Sequence, residues 1–347
     1  MRVLKTVKSV SAGLLLFGTV VLPGIYSPVA FASGEASEKA VNDAKAERPI
    51  LDLAFLIDTT GSMGGEIEMV KKKTKDLVAK LASGKPAPRV RVGLVAYRDR
   101  GDEYVTKVFP FSDDIDKVVK DITSLSAAGG GDTPEAVNQG MHAALNELAW
   151  SKDKRASKLL FLIGDATPHI YSGDYKWEDE AKNAISRGIQ INTIGCNGLD
   201  TSGTAIFEKI AKLADGKFED LAYRREIVSA DGKKETLITS GRGTYKLKAG
   251  SEGAWKAGAR ELEAKGLAVA SPVAAAESSI LSADFASVPG RMSSAAPARA
   301  GALARSRSGG YAGAGGAGVD RGDSNLDEMM LNAAKAKLKK DLSVDYR

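Results

Sequence analysis

Between Ile50 and about Leu221, short apolar runs alternate with longer stretches whose apolar residues recur at helical spacing. This alternation restricts the fold more than any other feature of the chain. Residues 51–57 form an apolar run ending in Asp58, as expected of a strand buried on both faces. Ile67, Val70, Thr74, Leu77, Val78 and Leu81 then repeat at helical intervals until Gly84. Residues 90–97, 159–163 and 189–194 read as further buried strands, and 104–111 alternates as an edge strand does. Asp113 or Asp114 is placed to cap a helix carrying Ile115, Val118, Val119, Ile122 and Leu125. Helices are expected from Pro134 onward, over 178–187 and over 204–214. Strands and helices in this order imply an α/β fold, with a doubly wound, mostly parallel central sheet covered by helices on both faces.

The flanks have a different texture. Arg2, Lys5 and Lys8 precede an apolar stretch from about Val10 to Val21, and Ala30-Phe31-Ala32 supplies a small-x-small cleavage pattern. Residues 1–32 are therefore expected to be a signal peptide cut near Ala32, placing the mature chain in a secreted or periplasmic location. After the 50–222 domain, Asp231-Gly232 sits between two strand-like stretches, so 223–267 is expected to form a small β appendage. Residues 268–323 are rich in Ala, Ser, Gly, Pro and Arg and read as a low-complexity linker. Residues 324–347 regain helical character. Asn325 through Glu328 resemble a capping box, Leu326, Met329, Met330, Ala333 and Ala336 give a modest apolar side, and lysines gather towards the end. That helix either docks on a partner or an anionic envelope or membrane surface, or packs back on the parent domain.

Composition sets outer bounds. The chain has 347 residues, 43% hydrophobic and 27% charged, enough for one sizeable core. A net charge of +5, not gathered into one cluster, gives no argument for nucleic acid. Cys196, the single cysteine, closes an apolar strand pattern and reads as a small buried hydrophobe.

The chemistry concentrates in three loops. Asp58-Thr59-Thr60-Gly61-Ser62 follows the first strand and turns into a helix. In an open parallel sheet, ligands bind beyond the carboxyl ends of the strands. Carboxylate and hydroxyl oxygens at alternate positions of one tight loop suit a hard divalent cation. A helix cap made by Thr60 or Ser62 explains the same residues. Gly129-Gly130-Gly131-Asp132-Thr133-Pro134-Glu135 lies between two helices and brings more oxygen donors. The run 161–169 places Asp165 at another strand end, with His169 four residues on.

In order and content these three loops resemble the metal-ion-dependent adhesion site of von Willebrand factor type A domains. The resemblance covers about residues 50–222 and is greatest to the subgroup found in von Willebrand-type α-kinases and bacterial exported proteins. It rests on residues 58–64, 95–99, 129–135 and 165–169. It implies a Rossmann-like fold and a divalent cation, Mg2+ before Mn2+ or Ca2+. Thr60 and Ser62 would bind the cation directly, and Asp58 and Asp165 mainly through water. The family's second loop supplies a threonine. Here, anchoring on the glycines puts Asp132 in that place and Thr133 one position later, so both stand as candidates. A carboxylate there would raise cation affinity and reduce the positive charge offered to an acidic ligand.

Other motifs carry less. Arg98, Asp99, Arg100 and Asp102 form a charged loop that either rims the site or is a solvated turn. His142 reads as structural. Arg321-Gly322-Asp323 is a chance tripeptide in an Arg- and Gly-rich stretch, and the glycine run lacks the Lys-Ser/Thr pair of a phosphate loop. Two function classes follow. One is an exported, non-catalytic module that presents a cation to a protein or acidic ligand. The other is a metal-dependent hydrolase using Asp165, His169 and a cation-bound water.

Overall fold

The computed structural model describes residues 48–131, 133–196, 198–228, 232–241, 243–270 and 323–346. In chain order these form β1 (Ile50–Asp58), a 3-10 turn (Gly61–Met63), α1 (Gly64–Ala82), β2 (Arg89–Tyr97) and β3 (Thr106–Ser112). There follow α2 (Ile115–Thr123), α3 (Val137–Asn146), β4 (Ser157–Gly164), α4 (Trp177–Ser186), β5 (Ile189–Gly195), α5 (Thr201–Leu213) and β6 (Phe218–Asp220). These strands make one sheet in the order β3-β2-β1-β4-β5-β6. Every neighbouring pair is parallel except β2 with β3. The α/β, doubly wound architecture expected from the alternating pattern is the one found.

Alternation along the strands divides the core. Leu51, Leu53, Phe55 and Ile57 of β1, with Leu159, Phe161 and Ile163 of β4, face one helical layer. Ala54 and Leu56, with Leu160 and Leu162, face α3, α4 and α5 on the other side. This is why β1 and β4 carry apolar residues on both faces. Asp52 interrupts the run and is paired where it is buried. Its buried carboxylate accepts two 2.7 Å hydrogen bonds from Arg91 and one of 2.6 Å from the Ser151 amide. Asp114, rather than Asp113, caps α2, accepting from the amides of Asp116 and Lys117.

After β6 the chain builds a second, antiparallel sheet from β7 (Ala222–Val228), β8 (Lys234–Ser240), β9 (Gly243–Leu247), β10 (Ala268–Ala270) and β11 (Asp323–Ser324). Its strand order is β10-β9-β8-β7-β11. A 3-10 segment (Glu252–Ala257) and α6 (Ala259–Ala264) lie between β9 and β10. Ile238, Leu247, Trp255 and Leu262 give this sheet a small core of its own. Most of the proposed linker, like the signal segment, lies outside the described residues. Residues 268–270 instead pair with β9, and Asp323 pairs with Arg224 of β7 and accepts a 3.1 Å hydrogen bond from Lys73.

The last helix, α7 (Leu326–Leu342), resolves the alternatives left by its sequence. Leu326, Met329, Met330, Ala334 and Leu338 are buried in the same core as α1 and β4. Ala336, counted on the apolar side from spacing, is exposed, and Leu338 takes the inward place. The apolar side of this helix is thus packed on the parent sheet. The expected capping box does not form. The Asn325 side chain instead accepts from the Ala222 amide at 2.8 Å, tying the helix start to β7. At the far end, the Tyr346 hydroxyl donates to the Leu81 carbonyl at 2.8 Å. Among the described residues, no helix is long and apolar enough to cross a membrane.

Candidate metal centre

The winding direction reverses between β1 and β4. From β1 the sheet grows through β2 to β3, and from β4 through β5 to β6. The crevice beyond their carboxyl ends is where such sheets bind ligands. Ile57 of β1 is level with Ile163 of β4, so Asp58 leaves the sheet beside Gly164, one residue before Asp165.

Asp58 is fully buried. Its Oδ1 accepts from the Thr60 amide at 2.8 Å and from the Thr60 hydroxyl at 2.7 Å. The Thr60 and Ser62 hydroxyls lie 3.3 Å apart. Thr60 makes no side-chain cap on the following turn, so helix capping does not explain this loop. Thr60 is buried and Ser62 exposed, which orders the three oxygen donors from the floor of the crevice to its mouth.

The second loop is pinned to the first. The Ala128 amide donates to the Thr59 carbonyl and the Gly61 amide to the Gly129 carbonyl, each at 3.1 Å. Gly129 and Gly130 have φ of +75° and +68°, the left-handed region that glycine enters without strain. A Cβ on Gly130 would fall 2.7 Å from Thr60 Cβ and 2.8 Å from Glu135 Oε1, so bare α-carbon is what lets these side chains approach. Of the two second-loop candidates, Thr133 is exposed and Asp132 lies outside the described residues. The buried acid of this loop is Glu135, which belongs to the motif but is not among the donors expected from its spacing. Its signal was a carboxylate just ahead of a buried helix. The helix begins at Val137 rather than Pro134, and this leaves Glu135 in the loop, facing inward.

Crowding of acids dominates the electrostatics. Burial, then the charge of Asp165, pushes Asp58 up to about 7. Burial, then Asp58, Asp99, Asp102 and Asp165, pushes Glu135 up to about 9. Tyr97 is raised for the same two reasons. Its hydroxyl lies close to the Asp58 carboxylate without completing a hydrogen bond, and both Asp58 Oδ2 and Glu135 Oε2 are buried with no hydrogen-bond partner. A buried carboxylate oxygen left unpaired is expensive unless a cation or donor meets it. Among the described residues, no three His, Cys, Asp or Glu side chains converge closely enough to grip an ion by themselves. The donor set therefore fits a hard cation held by hydroxyls together with carboxylates, some acting through water.

The charged loop after β2 holds this arrangement rather than being a solvated turn. Arg98 is buried and donates to the carbonyls of Thr59 at 3.2 Å and Ser126 at 3.0 Å. Asp102 accepts from the Gly130 amide at 3.0 Å and the Asp99 amide at 3.1 Å. His169 stacks on Tyr171 at 3.9 Å and faces Asp99 at 3.5 Å, while the Tyr171 hydroxyl donates to Asp99 at 2.7 Å. His142 pairs with Glu180 at 2.8 Å. Cys196 is buried at the end of β5.

Comparison with known proteins places this geometry. Residues 52–228 match the model of the von Willebrand factor type A domain, just over half of the chain. A putative ariadne-like RING finger protein of Acanthamoeba polyphaga mimivirus is 32% identical over 120 residues, covering 35% of this chain and 11% of that protein. Human von Willebrand factor A domain-containing protein 7 is 34% identical over 120 residues, covering 35% of this chain and 12% of that protein. The chain thus spans only about a tenth of the length of these curated relatives. Among solved structures, proximal thread matrix protein 1 of the mussel byssus, with a zinc-occupied MIDAS motif, is similar at 20% identity and a TM-score of 0.38, over 49% of this chain and 41% of that one. With the family match over nearly all of the central sheet and all three site loops, the chain belongs to the von Willebrand factor type A domain family.

Proposed function

We propose that this is a non-catalytic recognition module that holds a divalent cation, Mg2+ before Mn2+ or Ca2+, at Asp58, Thr60, Ser62 and Asp165. The observation that carries this reading is the buried Asp58 carboxylate. One oxygen is engaged by Thr60 and the other is unpaired, at the switch point of the sheet. When bound, the cation would supply a Lewis-acidic contact point for an oxygen donor of a protein or acidic ligand. The chain's own part is to fix the three loops, through Arg98 and Asp102, so that little reorganisation accompanies binding. His169, the base that a hydrolytic reading needs, is stacked on Tyr171 and turned to Asp99. This supports recognition over hydrolysis.

Calorimetric titration with Mg2+ and Mn2+ tests the reading. One site per chain is expected, and Asp58→Ala is expected to lose it. The same variant is expected to keep its fold without metal, because it removes a carboxylate whose charge burial and Asp165 already oppose. Undiminished binding by Asp58→Ala would place the site elsewhere.

We further propose that the module is exported, after cleavage near Ala32. N-terminal sequencing of the protein recovered from its host is expected to read from about Ser33. A mature product that retains Met1 would refute export by this route.

A further inference from the structure

We infer that Glu135 takes the place of the second loop's threonine and gives the cation its one directly bound carboxylate, beside the hydroxyls of Thr60 and Ser62. The inference rests on the proposed cation site and specifies its chemistry. Three independent observations converge on it. Glu135 is only 2% exposed, and its Oε2 has no hydrogen-bond partner. Its Oε1 faces Thr60 across the bare α-carbon of Gly130, where an added Cβ would lie within 2.8 Å of both side chains. Of the two candidates that the family pattern offers, Thr133 is exposed.

The backbone holds Glu135 in that pose from both sides. Its amide donates to the Thr167 carbonyl at 3.0 Å, and its carbonyl accepts from the His169 amide at 2.7 Å. The second and third loops are therefore joined at this one residue, with Asp165 two positions before Thr167. A buried carboxylate anchored at its own backbone, yet unpaired at its tip, is arranged for a ligand rather than for packing. The charge count has a consequence for the partner. Asp58, Asp165 and Glu135 together outweigh a dication, so the loaded centre offers no excess positive charge. A neutral oxygen donor, such as a hydroxyl or carbonyl, suits such a centre better than a partner carboxylate.

Isothermal titration of the full chain with Mg2+ alone separates this inference from the reading beneath it. Glu135→Gln is expected to weaken binding by roughly 10- to 100-fold or more, a range that substitutions even one shell outside a metal produce. Thr133→Val is expected to stay within about threefold of the parent, under half of the 1.4 kcal/mol that tenfold represents. Thermal unfolding without metal adds a readout that packing alone would move the other way. Glu135→Gln is expected to match or exceed the parent's melting temperature, since it relieves repulsion from neighbouring acids, yet to gain little from added Mg2+. A Glu135→Gln protein that binds like the parent overturns the inference, as does a Thr133→Val protein that loses as much. A metal-free melting temperature well below the parent's assigns Glu135 a structural role and also overturns it. If the parent chain itself binds no Mg2+, the underlying site reading fails. Should Glu135→Gln not fold, Glu135→Asp, which withdraws the carboxylate by one methylene, carries the same expectation of weakened binding.

Discussion

Magnesium is expected to raise the melting temperature far more at pH 9 than at pH 5. In the metal-free protein, Asp58 sits near 7 and Glu135 near 9, whereas unfolded carboxyls titrate near 4. Both groups therefore have raised values in the folded state. Their contribution to stability is fully present below about pH 4 and is lost as pH rises through about 7 and then 9. The metal-free domain is therefore expected to lose stability progressively across that window. The cation works in the opposite sense, because it binds the ionised carboxylates and competes with protons for them. Affinity thus climbs with pH over the same range in which the metal-free fold weakens. At a hundredfold excess over Kd, mass action contributes about 3 kcal/mol. For a domain of this size that corresponds to roughly 5–10 °C. Differential scanning calorimetry at pH 5, 7 and 9, with 10 mM Mg2+ as a chosen condition and with chelator, checks both halves. A Mg2+ shift that is equal at all three pH values would separate these carboxylates from the metal.

Removing residues 323–347 is expected to abolish the stable fold rather than to detach an idle tail. α7 covers one face of the sheet, where Leu326, Met329, Met330, Leu338 and Val344 are all at most 4% exposed. Burying each large apolar side chain contributes about 1.5–3 kcal/mol. Together these residues approach the 5–15 kcal/mol that typically separates a folded domain from its unfolded state. Deletion would also uncover Leu159, Phe161 and Ile163 on that face, an aggregation hazard. The truncated chain is expected to be insoluble or to lack a cooperative transition by circular dichroism. A milder variant keeps the idea testable within a folded protein. Leu338→Ala is expected to cost about 2–5 kcal/mol, or some 2–4 °C of melting temperature for each kcal/mol. Unaltered melting of both proteins would show that the helix is dispensable.

The two predictions mark where local sequence suffices and where it does not. The order of strands and helices was legible because strand and helix leave different periods, and β1 and β4 are apolar on both faces for the length of the strand. The first-loop donors were legible too. Asp58, Thr60 and Ser62 lie within five residues, so their meeting is a matter of local turn geometry. Glu135 was not legible, because its inward pose depends on a helix that starts at Val137 and on backbone bonds to Thr167 and His169, more than thirty residues away. Arg98 and Asp102 fitted a rim of the site and a solvated turn equally well in sequence, and only their bonds to Thr59, Ser126 and Gly130 tell the two apart. The last helix shows the same division. Its amphipathic spacing announced a helix, but a weak apolar side fits a tether and a core helix equally well. What decided between them was the uncovered face of a sheet whose strands lie about 100 residues or more earlier in the chain. By itself the sequence determined the elements, their order and the donors packed into one turn. The tertiary structure alone decided which distant carboxylate closes the site and which helix completes the core. Those choices come from burying surfaces that only the folded sheet brings together.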